Sequence, residues 1–392
     1  MAELTYYRLD GTTSRHSKIT IPIQELDVFQ HCEQLRFNSL EETAIFAKDN
    51  YQQRINPIFL SKQYQFIYDA RIYRDSLITV AWNEDSGEKI VKYSSLSGEI
   101  SLDNYTIDGE IFDVWIIDED KIIWINKDSQ NILTIENFIS NEKINFPGHS
   151  QAIISISLLE ETNMFASVSE DKTVRIWDIN ERVCIKTIKL PGYCSKILLA
   201  KSNRLIGWEG KPQFWVYDFK NEKFLLSKTD INPVTVLINN IEKNLYVLVG
   251  RQDGVIDCYL LNSCELVWSN RLSDGWVYKI ENSSDNSLLF VSGSDGNIYV
   301  IDALCGQLQQ TLSGHSGGVW NIITTSKYIL TSGLDETIRV WDIQSGDKIA
   351  ILAGHNHKIR QMLMTDDKKY LISRDKLGNT IAWSADWDGV LS

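Results

Sequence analysis

The chain has 392 residues, and 39 Lys and Arg against 52 Asp and Glu give a formal net charge of −13 at pH 7. This balance argues against nucleic-acid or anionic-membrane partners, which are themselves negatively charged. Hydrophobic residues make up 43% of the chain, too many for a disordered protein. At the usual domain size, a chain of this length would divide into two or three domains.

The cysteines and the first residues favour a cytoplasmic protein. No apolar run is long enough to span a bilayer, and the start of the chain does not match a signal peptide. The six cysteines form neither a C-x-x-C pair nor a dense framework, and stand at Cys32, Cys184, Cys194, Cys258, Cys264 and Cys305. We therefore expect reduced thiols.

Residues 1–63 differ in pattern from the rest of the chain. Residues 4–9 and 18–23 alternate like strands. Ser39 and Glu42 have the spacing of a capping box, which predicts a helix from there to about Tyr51. Residues 24–33 have one apolar face and predict another helix. The sequence thus predicts a small N-terminal α+β cap.

A repeat of about 41 residues follows. The strings Thr173–Asp178 and Thr337–Asp342 are nearly the same, and their tryptophans, Trp177 and Trp341, lie 164 residues apart, or four steps of 41. Gly-His pairs recur at about the same spacing, ending in His149, His315 and His355. Hydrophobic strings occupy the intermediate points, near residues 217, 259 and 301.

Each repeat unit contains short alternating strands separated by polar and glycine turns. Four strands per 40 residues predict one four-stranded antiparallel sheet per unit. We divide the chain after the cap into the units 64–107, 108–147, 148–190, 191–229, 230–272, 273–313, 314–353 and 354–392. Eight units are expected, or seven if residues 64–107 belong to the N-terminal element.

These features resemble the WD-repeat family of β-propellers. The resemblance covers about residues 64–392 and implies an all-β propeller of eight blades, in which each blade is one four-stranded sheet. In two units it also implies a structural tetrad, a series of hydrogen-bonded side chains that fixes the strands of a blade. The tetrads are His149, Ser167, Asp171 and Trp177 in one unit and His315, Thr331, Asp335 and Trp341 in the other.

The family usually completes its last blade with an N-terminal strand, so residues 4–9 or 18–23 are expected to pair there. Other units depart from the tetrad pattern. Val291 and Ile301 stand where the Ser and the Trp would be, and Val249 and Tyr259 do so one unit earlier. This degeneracy leaves the blade count open.

Catalytic and cofactor chemistry is not expected. Gly314–Gly318 fits a hydrolase string, but the repeat places Ser316 in a loop before a strand. His355 and His357 have no local cysteine or carboxylate cluster, so no metal site is predicted. Residues 253–268 and 295–306 also look like quinoprotein repeats, which implies a quinone- and calcium-binding enzyme as a disfavoured alternative. We predict a non-enzyme without cofactor.

Function is therefore expected to lie on the surface. Propellers of this family bind peptides or domains on one face, through first-strand bulges and residues before the second turn. Carried over to this sequence, these positions are Phe112, Glu170, Trp276, Tyr278, Trp320, Leu334, Lys358 and Arg360. The prediction is a scaffold or recognition subunit of a hetero-complex that binds a protein or peptide. A regulatory subunit docking through the N-terminal element is the alternative.

Overall fold

The computed structural model describes residues 2–10, 13–15, 42–48, 56–61, 66–73, 76–82, 89–95, 105–107, 111–118, 120–126, 129–159, 162–210, 213–365, 368–385 and 387. Within these residues the chain forms 35 β-strands and no helix. No helix in this part of the chain could therefore cross a membrane.

Four strands precede the repeat units: β1 (Ala2–Asp10), β2 (Thr13–Arg15), β3 (Glu42–Lys48) and β4 (Asn56–Ser61). The next sixteen are β5 (Phe66–Tyr73), β6 (Ser76–Trp82), β7 (Lys89–Ser95), β8 (Tyr105–Thr106), β9 (Ile111–Ile116), β10 (Lys121–Asn126), β11 (Leu133–Asn137), β12 (Glu142–Phe146), β13 (Ile153–Leu159), β14 (Met164–Ser169), β15 (Thr173–Asp178), β16 (Val183–Lys189), β17 (Cys194–Ala200), β18 (Arg204–Gly210), β19 (Phe214–Asp218) and β20 (Lys223–Lys228). The remaining strands are β21 (Pro233–Ile241), β22 (Asn244–Arg251), β23 (Val255–Leu260), β24 (Leu266–Arg271), β25 (Val277–Asn282), β26 (Leu288–Gly293), β27 (Asn297–Asp302), β28 (Leu308–Ser313), β29 (Val319–Thr324), β30 (Tyr328–Gly333), β31 (Thr337–Asp342), β32 (Lys348–Ala353), β33 (Ile359–Met364), β34 (Tyr370–Asp375) and β35 (Thr380–Ser384).

The described strands form antiparallel sheets that follow one another along the chain. Sheets 1 to 6 consist of four consecutive strands each, from β5–β8 to β25–β28. Sheet 7 contains β29–β32 and is extended on its outer edge by β3, β1 and β2. Sheet 8 contains β33–β35, and β4 is its fourth strand.

The alternation of side chains along each strand joins every sheet to its two neighbours. In β26, Leu289 and Val291 pack towards sheet 5, whereas Phe290 points the other way and packs against Val319 of sheet 7. A strand that buries both faces needs apolar residues at both alternating sets of positions. Equivalent apolar clusters connect the other consecutive sheets, and β33 of sheet 8 contacts β5 of sheet 1.

The turn between the second and third strands requires a left-handed backbone conformation in several sheets. Gly254 and Gly296 follow an aspartate there and have φ of +76° and +83°. A side chain at Gly254 would bring its Cβ within 2.0 Å of the Ser273 carbonyl oxygen, so glycine is required. Lys172 and Glu336 occupy the same turn position with φ of 61° and 64°.

The predicted helix after Ser39 is wrong over residues 42–48. Residues 42–48 are strand β3, which pairs with β1 on one side and with β32 on the other. A capping box stabilises a helix by only about 1 kcal/mol, whereas two neighbouring strands satisfy the backbone along the whole segment. The helix predicted over residues 24–33 lies outside the described residues.

The strand that completes sheet 8 is β4, which pairs with β35 so that Ile58 faces Ala382. The prediction that residues 4–9 complete this sheet is wrong, because these residues lie in β1 and pair with β3. Residues 18–23 lie outside the described residues. Sheet 8 is thus built from segments more than 290 residues apart in the chain.

Candidate functional site

Two sheets contain the side-chain series expected from the repeat. In sheet 3, the Trp177 indole N–H donates to the Ser167 hydroxyl over 2.8 Å, and His149 Nε2 lies 2.8 Å from the same hydroxyl. His149 Nδ1 then lies 3.0 Å from Oδ2 of Asp171. In sheet 7, Trp341, Thr331, His315 and Asp335 form the same series over 2.9, 2.9 and 2.8 Å.

The order of donors fixes the protonation of these histidines. Because an ionised carboxylate only accepts, Nδ1 donates to Asp171 or Asp335 and Nε2 accepts from the hydroxyl. Burial lowers the pKa of His149 and of His315, against the opposing effect of the carboxylates. Burial would raise the pKa of Asp171, but hydrogen bonds from Thr173 and other donors bring it to about 2. Similar contacts hold the pKa of Asp335 well below its usual range.

Sheet 8 contains a third series that the sequence analysis did not assign. Trp383 donates its indole N–H to Ser373 over 2.9 Å, and His355 Nε2 lies 2.7 Å from the same hydroxyl. His355 Nδ1 lies 3.4 Å from Oδ2 of Asp375. Both His355 and Asp375 are buried, so this imidazole is part of the sheet interior.

Sheets 2 and 5, which lack this series, use other polar contacts. In sheet 2, the Trp124 indole N–H donates to the buried Glu136 carboxylate over 2.8 Å. In sheet 5, Arg251 bridges Asp253 and Asp257, at 2.7 and 3.2 Å. These contacts satisfy the buried carboxylates of Glu136 and Asp257. Among the described residues, no group of three or more His, Cys, Asp or Glu side chains could hold a metal ion.

One end of the sheets, which we call the bulge end, carries the surface positions predicted from the sequence. In sheets 6, 7 and 8 the pairing register of the first strand shifts around Tyr278, Trp320 and Arg360, so each is a β-bulge residue. Equivalent backbone hydrogen bonds place other residues at this end. They join Ser294 to Trp276, Leu334 to Gly318, Lys376 to Lys358 and Glu170 to Ala152.

Three aromatic side chains at the bulge end form a contact series across sheets 6 and 7, which we call the aromatic row. The ring centroids of Trp276 and Tyr278 are 6.3 Å apart, and those of Tyr278 and Trp320 are also 6.3 Å apart. Both contacts are edge-to-face, with interplanar angles of 68° and 84°. Trp276 is 46% exposed.

Two cations of sheet 8 complete this surface. Lys358 Nζ and Arg360 Cζ each lie 4.7 Å from the centroid of a Trp320 ring. Such contacts are attractive because the face of an indole ring is electron-rich. Six of the eight predicted surface residues therefore lie on the neighbouring sheets 6, 7 and 8, since Leu334 is also at the bulge end and is 42% exposed.

The other two predicted residues lie elsewhere. Glu170 is exposed at the bulge end of sheet 3, which does not adjoin the aromatic row. Phe112 is the bulge residue of β9 in sheet 2, and its side chain lies outside the described part. The sequence analysis missed Lys376, whose backbone N–H donates to the Lys358 carbonyl oxygen over 3.0 Å. Lys376 follows the start of its first strand, Ile359, at the same spacing as Glu170 follows Ile153, and this spacing could have identified it.

Comparison with known proteins identifies repeats of a known family in parts of the chain. The family model described as "WD domain, G-beta repeat" matches residues 140–178, 263–302 and 306–342. A solved structure of the computationally designed Ika8 protein superimposes with a TM-score of 0.68 over 82% of this chain and 98% of that chain, at 18% identity. The chain thus carries WD40 repeats at three positions, and the predicted all-β propeller fold is confirmed.

Curated relatives are more distant in sequence. The ribosome biogenesis protein ytm1 of Schizosaccharomyces pombe is 23% identical over 79% of this chain and 71% of its own length. The WDR12 homolog of Aedes aegypti, also named a ribosome biogenesis protein, is 24% identical over 58% and 62%. WD repeat-containing protein 82 of Drosophila melanogaster is 22% identical over 61% and 65%. The chain thus spans less than two thirds of the last two relatives, and the matches together support a protein-interaction scaffold.

Proposed function

We propose that this chain is a non-catalytic recognition subunit that binds a protein or peptide partner through the bulge end of sheets 6, 7 and 8. The observation that carries the proposal is the position of Trp320, which contacts Tyr278 on one side and Lys358 and Arg360 on the other. A few hot-spot residues supply most of the binding energy at protein interfaces, and tryptophan, tyrosine and arginine are enriched among them. Here they come from three neighbouring sheets and form one surface.

Rigid presentation is the mechanism we propose. Trp320, Lys358 and Arg360 lie at the starts of the first strands of sheets 7 and 8, and these sheets are fixed by the buried series around Thr331 and Ser373. Side chains that are already held in place lose less conformational entropy when a partner binds. The affinity then depends on the contacts made and less on ordering the site.

The context of this binding is also part of the proposal. We place the chain in a hetero-complex, because the exposed aromatic and basic groups suit a partner that is a different protein and not a second copy of this chain. We place that complex in the cytoplasm, a reducing compartment that suits the five described cysteines, which are free thiols.

Affinity purification with matched variants tests this proposal. Trp320→Ala and Arg360→Ala are expected to reduce recovery of the main co-purifying protein at least about tenfold, as loss of a hot-spot side chain does. Arg182→Ala is the control, because Arg182 is 56% exposed in a turn of sheet 3 and its one ion pair with a described residue is to Glu142. All variants should melt within a few degrees of the wild type. Full recovery with both bulge-end variants would contradict the proposal.

A further inference from the structure

Three cations stand together at the bulge end of sheet 8, and we call them the basic patch: Lys358, Arg360 and Lys376. Lys358 and Arg360 share the Trp320 ring, at 4.7 Å each. Lys376 is hydrogen-bonded through its backbone to Lys358, so the two residues lie side by side, one just before β33 and the other just after β34. Arg360 and Lys376 are exposed, and Lys358 is half-buried.

No carboxylate of the described part of the chain forms an ion pair with any residue of the basic patch. Some cations elsewhere are paired, such as Arg204 with Asp218 at 2.8 Å and Lys196 with Glu209 at 2.8 Å. Packing lowers the pKa of Lys358, and the like charges of Arg360 and Lys376 lower it further. A chain of net charge −13 therefore holds at one place three positive charges that no carboxylate of its described residues pairs with.

The contacts of Trp320 restrict the charge of a ligand. A free aromatic surface could accept a cation such as a methylated lysine, because ring faces attract positive charge. The Trp320 ring already has two cations against it, so another cation would be repelled there. An anionic group would instead be attracted by all three charges.

Apolar surface lies beside the basic patch. Leu334 and Leu377 are 42% and 50% exposed, and Trp276 is 46% exposed at the far end of the aromatic row. Leu377 directly follows Lys376 in the chain. A ligand that covers the patch can therefore place carboxylates on the cations and apolar side chains against these three residues.

We propose that the bulge end of sheets 6 to 8 recognises a short acidic peptide segment that also carries apolar side chains. The inference rests on the proposed function and specifies the chemistry of its partner. Electrostatic complementarity selects the partner by sign of charge and accelerates the encounter, while the aromatic row supplies apolar contact area. A nucleic acid is less suited, because three cations compensate few phosphates and the remainder of the chain is acidic.

Selection from a random dodecapeptide phage library tests the sign of charge directly. Peptides enriched on the wild-type chain are expected to carry net negative charge and at least one large apolar residue. On the charge-reversed variant Lys358→Glu with Arg360→Glu, this preference for negative charge should disappear. A matched control, Lys189→Glu with Lys223→Glu, changes two exposed lysines of outer strands and should keep the wild-type preference.

Measurements on the wild-type chain alone keep the test independent of how the variants fold. The best enriched peptide should bind about tenfold more weakly when NaCl is raised from 50 to 500 mM, because salt screens exposed charges. Enrichment of neutral or basic peptides, or of none, would overturn the inference. So would salt-independent binding, or tighter binding of a 15-nucleotide single-stranded RNA than of any enriched peptide.

The two levels of the proposal can fail separately. If Trp320→Ala loses the co-purifying partner while the selected peptides are neutral or basic, the bulge end is the binding surface but its ligand is not acidic. If Trp320→Ala retains the partner, the proposed function itself fails, whatever the library selects. Acidic peptides lost upon charge reversal, together with partner loss, support both.

Discussion

The Nδ1 atom of His315 lies 2.8 Å from Oδ2 of Asp335, and both side chains are almost completely buried. Burial lowers the pKa of His315, and the contacts of Asp335 keep its carboxyl ionised. The pair is therefore a neutral imidazole that donates to a carboxylate. The same arrangement recurs between His149 and Asp171.

Acidification should destabilise the chain through these pairs. Since the folded pKa of His315 and of His149 lies below the model value of 6.5, the unfolded chain binds more protons as the pH falls from about 7. The aspartates act in the same direction at lower pH, because their folded pKa values are also depressed. We expect the melting temperature to fall steadily between pH 7 and pH 4.

Two variants distinguish the contribution of these histidines to the loss of stability in acid from that of other titrating groups. His315→Gln should lower the melting temperature at pH 7 and reduce its further loss between pH 7 and pH 5. His357→Gln changes an exposed side chain and should leave the wild-type profile unaltered. Equal stability of the wild type at pH 7 and pH 5 would contradict the assignment.

The series in sheet 8 should contribute measurably to stability. Trp383→Phe removes the indole N–H that donates to Ser373 in a completely buried site, while it keeps an aromatic ring. Losing one buried hydrogen bond costs about 1–3 kcal/mol. Urea unfolding should show this loss, whereas Trp276→Phe at an exposed position should change the free energy of unfolding by less than about 0.5 kcal/mol. An unchanged free energy of unfolding in Trp383→Phe would contradict a stabilising role of this hydrogen-bonded series.

Truncation should distinguish the N-terminal strands that cover strand edges, β3 and β4, from those that are only attached, β1 and β2. We propose that residues 64–392, completed by β4, form one domain to which β1–β3 are attached. Removing residues 1–15 deletes only β1 and β2, which lie beyond β3 on sheet 7, so a cooperative unfolding transition should remain. Removing residues 1–61 also deletes β3 and β4 and exposes the edges of β32 and β35, so aggregation or loss of the transition is expected. Identical melting of both truncations would contradict this division.

The repeat was predictable because the hydrogen bonds of each side-chain series lie within one repeat unit. In all three His-containing series the hydroxyl residue precedes the tryptophan by 10 positions. Trp383 and His355 also matched the repeat, so Ser373 could have been assigned from the same spacing. The bulge residues Tyr278, Trp320 and Arg360 were predictable for the same reason.

The state of residues 42–48 depends on a strand about 300 residues away, which no local pattern encodes. Ser39 and Glu42 favour a helix locally, but β32 offers an unpaired edge. One indirect signal existed. The β32 segment Lys348–Ala353 is nearly all apolar and buried, unlike the outer strand Leu266–Arg271 of sheet 5. An apolar fourth strand such as β32 indicates that another segment of the chain covers its outer edge.

The aromatic row should be sensitive to the space beside it. A Cβ at Gly318 would lie 2.8 Å from the Tyr278 ring and 3.3 Å from the Ser294 Cα, so Gly318→Ala must shift the ring. We expect partner or peptide affinity to fall severalfold, with a small change in melting temperature, because the ring can move. Gly148→Ala, which meets the flexible end of Arg175 at 2.7 Å, is the control and should keep the affinity. Unchanged binding by Gly318→Ala would show that the position of the Tyr278 ring does not matter for binding, and would contradict its place in the binding surface.

The central claim is that the partner covers the bulge end of sheets 6 to 8. Hydrogen exchange of the chain, alone and in its purified complex, measures this most directly, because it maps the backbone that a partner protects. The account predicts new protection at residues 274–278, 316–320 and 356–360, and at the adjoining turns around Leu334 and Lys376. Protection confined to the outer strands or to sheets 2 to 4, with these segments unchanged, would contradict it.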